Sequence, residues 1–356
     1  MGKISLKKQK KKSAVRRGLL WLVTVMLELF LAGCGSDGNT AETKPVVEAV
    51  SFDGIYSVEG ITVLTDSFSV YDWTRNIVKG SDKVSVSFFP ADGADLHSYE
   101  PTVADIAAIK EADLMIFIGG ESDEWVKDVL EGEDTAYLNV MECLGGRVIP
   151  EEIKEGMQAE DEDPQGGSAM SSTEAEEEEK DEHVWLSLYN AVTVSGRITE
   201  ELEKLDPENS ELYYANLLEY TAKLEKLDSS YREVCENAGR KLVVVADRYP
   251  FRYLFDDYGI DYYAAFPGCS SETDAGFETI AFLSAKVNEN NIKTLITIEG
   301  SDNAVAKKVA ENANADDIKI LTMDSLQSVS SEEVAQGKTY IGIMEKNLEA
   351  LRTAMD

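Results

Sequence analysis

Apolar positions along the chain recur with two periods. Short β-rich runs at Ile61–Thr65, 84–89 and 114–118 alternate with helix-period segments at 70–79 and 102–111. The second half repeats the alternation, with strands expected at 242–245, 262–264, 294–298 and 318–321 and helices at 251–258, 277–289, 303–312 and 339–354. Strands that alternate with helices build mainly parallel sheets with helices on both faces. The pattern therefore predicts the α/β class, as two lobes. Between them, 187–204 is apolar-periodic and 207–237 reads as one long helix, with Asp206 as cap and Pro207 in its first turn. Leu212, Ala215, Leu218, Thr221, Ala222, Leu224 and Leu227 supply its expected stripe. At ~1.5 Å per residue such a helix spans about 45 Å, enough to run the length of both lobes and join them rigidly.

The ends and insertions depart from this alternation. Residues 1–33 place Lys7, Lys8, Lys10, Lys11, Lys12, Arg16 and Arg17 before an apolar run from Gly18 to Phe30 that is interrupted by Glu28. The run falls short of the roughly 20 residues a bilayer span needs, and the order of regions is that of an export signal. It ends in Leu31-Ala32-Gly33-Cys34, which resembles the bacterial lipobox, so Cys34 is expected to carry the lipid. Residues 34–50 are small and polar, a flexible tether. Residues 151–182 hold 14 acidic side chains and two Lys, too little apolar surface to order, and are expected to form a disordered acidic loop. The expected domains are then a lobe at 51–206 containing that loop, the linking helix at 207–237 and a second lobe at 238–356.

Length and charge bound the function. A chain of 356 residues with 43% hydrophobic content has material for two cores. Net charge is -33, and residues 34–356 carry 26 basic against 66 acidic side chains, which repels nucleic acid and attracts cations. Besides Cys34, the cysteines are Cys143, Cys235 and Cys269, an odd number at no metal-knuckle spacing, read as buried or free thiols with one disulfide left open. No H-E-x-x-H or phosphate-cradle pattern suggests an enzyme.

Two histidines occur in the whole chain. His97 lies in Gly93-Ala94-Asp95-Leu96-His97-Ser98-Tyr99-Glu100-Pro101-Thr102, after an expected strand and before a helix. His183 lies in Asp181-Glu182-His183-Val184-Trp185-Leu186-Ser187, again before a helix. Both fall on loops at helix starts, and His97 stands at the mouth of the first sheet, where α/β lobes collect ligands.

These stretches resemble the zinc and manganese ABC-transporter substrate-binding lipoproteins, the cluster A-I or zinc-uptake family, whose ligands lie in G-x-D-P-H-x-Y-E-P-T and D-P-H-x-W-L-S-P. Leu96, Glu182 and Leu188 stand where that family has proline. The resemblance continues through Asp206-Pro207-Glu208-Asn209, Phe251-Arg252-Tyr253-Leu254 and Thr322-Met323-Asp324-Ser325-Leu326, about residues 60 to 354. It implies two lobes with a divalent ion between them, no enzymatic activity, and a permease as partner. The chain is then an extracytoplasmic monomer that meets the membrane through its lipid anchor alone. It further implies His97 and His183 as ligands from the first lobe and Asp324 from the second, with a turn carboxylate the bland reading of Asp324. At the family's third ligand position stands Arg248, which as a cation cannot ligate a metal. Its neighbour Asp247 is the simplest substitute, with a salt bridge to Arg248 or Arg252 as the other reading. Glu100 and Glu299 are candidate acceptors that orient an imidazole. Two imidazoles with carboxylates favour zinc, with manganese or iron as alternatives. A metal-free surface protein active in cell adhesion is the reading that Arg248 keeps open.

Overall fold

The computed structural model describes residues 60–158, 179–270, 274–313 and 317–356. The export signal, Cys34 and the tether lie outside the described residues, as does 159–178. Strands β1 (Ile61–Thr65), β2 (Val84–Phe88), β3 (Leu114–Phe117) and β4 (Ala136–Asn139) form one parallel sheet in the order β2-β1-β3-β4. Strands β5 (Leu242–Tyr249), β6 (Asp261–Pro267), β7 (Thr294–Ile298) and β8 (Lys319–Met323) form a second in the order β6-β5-β7-β8. Both sheets bury their central strands on two faces, so β3 and β7 are continuous apolar or small-residue runs with every side chain buried. Register is set by such residues: Val63 of β1 faces Val86 of β2 and Leu114 of β3.

Helices follow in chain order: α1 (Phe68–Ile77), α2 (Val103–Glu111), α3 (Trp125–Leu130), α4 (Val140–Leu144), α5 (Leu188–Leu205), α6 (Ser210–Asn237), α7 (Arg252–Tyr258), α8 (Phe277–Glu289), α9 (Ala304–Asn312), α10 (Ser331–Ala335) and α11 (Tyr340–Met355). This is the expected α/β class with a long helix between two sheets. The sequence pattern missed β4. That strand has four residues, with Tyr137 exposed and Asn139 turned to capping α4, so no alternation develops.

The long helix α6 buries the C-terminal part of its expected stripe, Leu224 and Leu227, and extends that face with tyrosines rather than with Leu212, Ala215 or Leu218. Tyr213, Tyr220, Leu224, Leu227, Tyr231 and Cys235 are buried, whereas Leu218 is 53% exposed. Tyrosine serves here because each hydroxyl finds an acceptor at the end of a large apolar body. Tyr213 donates to Asp206 at 2.7 Å and Tyr231 to the Met344 carbonyl at 2.6 Å. Tyr220 contacts Asp72 at 3.5 Å. Helix α11 returns to the first lobe, where Tyr340 N–H donates to Asp72 at 3.2 Å and its ring meets Trp73 edge-on at 5.3 Å.

The acidic segment is corrected at both roots, which are ordered. Pro150 and Lys180 form an antiparallel bridge, Glu151 N–H donates to the Glu179 carbonyl at 2.9 Å, and Asp181 N–H donates to the Ile149 carbonyl at 3.0 Å. Gln158 N–H reaches the Ala265 carbonyl of β6 at 2.9 Å, and Met157 packs on the core. Backbone pairing of the two roots with each other, and of Gln158 with β6, supplies what the sparse apolar content does not.

Trp185 ties the lobes together. It is 2% exposed, its indole N–H donates to the Ser325 carbonyl at 2.8 Å, and the Tyr340 hydroxyl donates to its own carbonyl at 2.7 Å. Trp185→Ala removes a large buried side chain and is expected to cost about 3–5 kcal/mol. Urea unfolding followed by circular dichroism checks this, and a loss under about 1 kcal/mol would contradict the packing described.

Candidate metal centre

The carboxyl ends of both sheets open on one crevice, where the strand orders reverse. His97 sits in a 3-10 turn, Leu96–Ser98, in the connection after β2, and Asp95 caps that turn by accepting from His97 N–H at 3.0 Å. His183 precedes a second such turn, Val184–Leu186, and is fully buried. The two Nε2 atoms lie 3.0 Å apart. The chain's two imidazoles thus meet at one point.

Carboxylates hold the far nitrogens. His97 Nδ1 lies 2.8 Å from Glu182 Oε1 and 2.9 Å from Ser122 Oγ, and His183 Nδ1 lies 2.9 Å from Asp181 Oδ1. Burial works to raise the Glu182 pKa, but the His97 and Ser122 hydrogen bonds and the nearby imidazole charges more than offset it, giving about 2. Glu182 is therefore an anion that only accepts, which fixes the His97 proton on Nδ1 and turns the Nε2 lone pair toward His183. Asp181 fixes His183 in the same sense. Two facing lone pairs repel unless a proton or cation lies between them. Zn–N bonds of ~2.0–2.1 Å at a tetrahedral angle put two nitrogens about 3.4 Å apart, so the pair need open only a few tenths of an ångström.

Glycine permits this crowding at two places. A Cβ on Gly120 would sit 2.0 Å from Glu182 Oε2, and one on Gly268 would sit 2.8 Å from His183 Cε1. Behind His97 a pocket is lined by Phe89, Leu96, Tyr99, Trp125 and Trp185, with Asp66, Ser122, Asp123 and Glu182 also on its wall.

The second lobe contributes residues other than those expected. Among the described residues, His97, His183 and Cys269 form the cluster whose ligand atoms all lie within 4.8 Å of one another. Asp324 stands apart: one oxygen is 3.0 Å from Lys338 Nζ and the other accepts from Leu326 N–H at 2.9 Å. Asp247 accepts from the N–H of Arg248 at 2.9 Å. Asp324 and Asp247, both expected as ligands, hold these partners in this geometry, and neither places an oxygen in the cluster of His97, His183 and Cys269. Arg248 reaches across the crevice to Asp95, Nη2 to Oδ2 at 2.6 Å.

Of the two expected imidazole acceptors, Glu100 is exposed and Glu299 acts at one remove. Gln327 donates its amide N–H to His183 Nε2 at 3.0 Å, and its carbonyl lies 2.7 Å from Ser325 Oγ, which is 2.5 Å from Glu299 Oε1. Burial, then the Asp324 charge, raises the Glu299 pKa to about 7. When protonated, Glu299 donates to Ser325 and frees the serine proton for Gln327. Asp181, Glu182 and Gln327 were missed as functional residues. The first two stand beside His183 in its own motif, which is the signal that could have found them; Gln327 carries none, being brought in by the second lobe. Cys143, Cys235 and Cys269 are free thiols, so the disulfide left open does not form.

The family model for zinc-uptake complex component A, periplasmic (ZnuA), matches residues 63–354. The chain belongs to this family. It is 30% identical over 327 residues to the high-affinity zinc uptake system protein ZnuA of Bacillus subtilis, covering 92% of this chain and 94% of that one. It is 29% identical over 296 residues to the zinc-binding protein AdcA of Streptococcus pyogenes, covering 83% of this chain and 56% of AdcA. The chain thus spans little more than half the length of its AdcA relatives. Its fold is similar to the Zn(II)-bound ZnuA-like domain of Streptococcus pneumoniae AdcA, with a TM-score of 0.64 at 25% identity, covering 83% of this chain and 99% of that domain.

Proposed function

We propose that this protein is the extracytoplasmic binding component of an ABC importer, and that it captures zinc between its lobes on His97 and His183 and delivers it to the permease. The observation that carries this reading is the pair of Nε2 atoms 3.0 Å apart, each imidazole backed by a carboxylate on its other nitrogen. Carboxylate-backed histidine is the arrangement that fixes tautomer and basicity in zinc sites. The protein binds rather than catalyses, in keeping with its zinc-uptake family, and its site is crossed by Arg248–Asp95 and Gln327–His183 contacts. Release requires the lobes to part and these contacts to break, the step assigned to docking on the permease. We assign Cys34 as the lipid anchor that keeps a monomer at the cell membrane, from its lipobox context alone.

Elemental analysis of the purified protein after zinc loading and desalting is expected to give one zinc per chain. Competition titrations are expected to rank zinc above manganese. A protein that stays empty, or one that holds manganese more tightly, would overturn the assignment of zinc as cargo.

A further inference from the structure

We infer that the thiolate of Cys269 is the second lobe's ligand for the captured ion, which makes the centre a two-imidazole, one-thiolate site. This rests on the metal-capture reading above and adds to it a ligand and a selectivity. Three observations carry it. First, Cys269 Sγ, whose thiol donates to Glu182 Oε1 at 3.9 Å, joins the two Nε2 atoms within 4.8 Å, and no carboxylate of the second lobe belongs to that cluster. Second, the backbone is built to bring the sulfur there. Strand β6 ends at Pro267, Gly268 lets the chain pass against His183 where a Cβ would come within 2.8 Å of Cε1, and Cys269 N–H is held by Glu151 Oε1 at 3.3 Å. Third, the adjacent strand β5 carries a cation, not a ligand, near its carboxyl end. Arg248 at the end of β5 pairs with Phe266 of β6 and spends its guanidinium on Asp95 and the Ser270 carbonyl, the latter at 3.4 Å. That clamp anchors Ser270, one residue beyond Cys269, to the far lobe.

Ligand distances fit after a small adjustment. Bonds of ~2.3 Å to sulfur and ~2.0–2.1 Å to nitrogen place S and N about 3.6 Å apart in a tetrahedral shell, roughly an ångström closer than the widest separation in the cluster. The Cys269 side chain or its lobe must move in by that amount as the ion binds. When the zinc–sulfur bond forms, the S–H bond breaks and its proton leaves to solvent, so each ion bound releases one proton from this group in addition to any displaced from imidazole. The consequence is selectivity. Thiolate favours zinc and softer ions over manganese, which takes oxygen donors, so Cys269 rather than a carboxylate sets the preference.

X-ray absorption on the zinc-loaded wild-type protein tests the ligand without any substitution. A sulfur scatterer at ~2.3 Å is expected, beside nitrogen at ~2.0–2.1 Å. In Cys269→Ser the sulfur shell is expected to vanish, zinc affinity to fall at least about tenfold, and the zinc-to-manganese preference to narrow by about the same factor. A zinc-loaded protein with nitrogen and oxygen neighbours only, or unchanged affinity and selectivity in a folded Cys269→Ser, overturns the thiolate while leaving zinc capture standing. Failure of wild type to take up zinc overturns the capture reading itself.

Discussion

Substituting His183 by Ala is expected to lower zinc affinity by well over 100-fold, and replacing both His97 and His183 to abolish tight binding. Loss of a residue that merely orients a metal ligand typically costs 10–100-fold, so loss of the ligand must exceed that range. His183 is the more demanding position. It is fully buried, its Nδ1 is committed to Asp181, and its Nε2 meets both His97 and the Gln327 amide. Stability and binding separate cleanly in a thermal melt with and without zinc. A ligand at 1,000 times its Kd stabilises the native state by about 4 kcal/mol, and that increment should disappear in the double variant whatever its metal-free stability. A chelator competition titration measures the affinity directly. Retention of wild-type affinity in a folded double variant would remove the basis for the centre described.

How much of this could be read from the chain differs by element. Strands β1 and β7 and helix α8 appear at the residues their apolar pattern indicates, because buried parallel strands and an amphipathic helix write their period into consecutive side chains. Strand β4 does not, since four residues at a sheet edge, one of them a capping Asn, carry no period. The face of α6 was legible at Leu224 and Leu227 and not at its tyrosines, for a chemical reason. Leucine marks a core in the sequence, but here Tyr213, Tyr220 and Tyr231 carry polar tips to buried acceptors across elements far apart in the chain. The same limit applies to the site. His97 and His183 were legible because the chain has no other imidazole and each opens a helical turn. Cys269 was legible only as a free thiol, since its meaning comes from β6 lying beside β5 and from Gly268 passing under His183, neither of which a linear pattern contains. Arg248 gave a partial warning. A cation at an expected ligand position signalled a departure from the family's pattern, and the ligand proposed in its stead, Cys269, lies two residues beyond the neighbouring strand β6 rather than beside Arg248 on β5.

Acidification from pH 7 to pH 5 is expected to release zinc, with the sign set by His183. Burial works to depress its pKa, but the Asp181 charge and hydrogen bond, with the charges of Glu182 and Glu151, outweigh burial and raise it above the ordinary imidazole value. A raised pKa means the proton competes with zinc from a higher pH. An imidazole of pKa about 6.5 loses about 25-fold in apparent metal affinity over this interval, and the loss climbs toward 100-fold as the pKa rises. Glu182 contributes nothing to the change, since with a pKa of about 2 it remains an anion throughout. Its own contribution to stability is present above the unfolded carboxylate pKa and is lost only as pH falls toward 2. For the metal-free fold the sign at His183 is opposite to that for zinc retention. The imidazolium paired with Asp181 stabilises fully below the unfolded pKa of about 6.5, and that stabilisation is lost as pH rises through the raised folded value. Zinc-free protein should therefore gain from this group on acidification just as zinc-loaded protein loses its ion, and the gap between their melting temperatures should close. Melting curves of both forms at half-unit steps of pH measure that gap. A gap that stays constant from pH 7 to pH 5 would mean that no imidazole holds the metal.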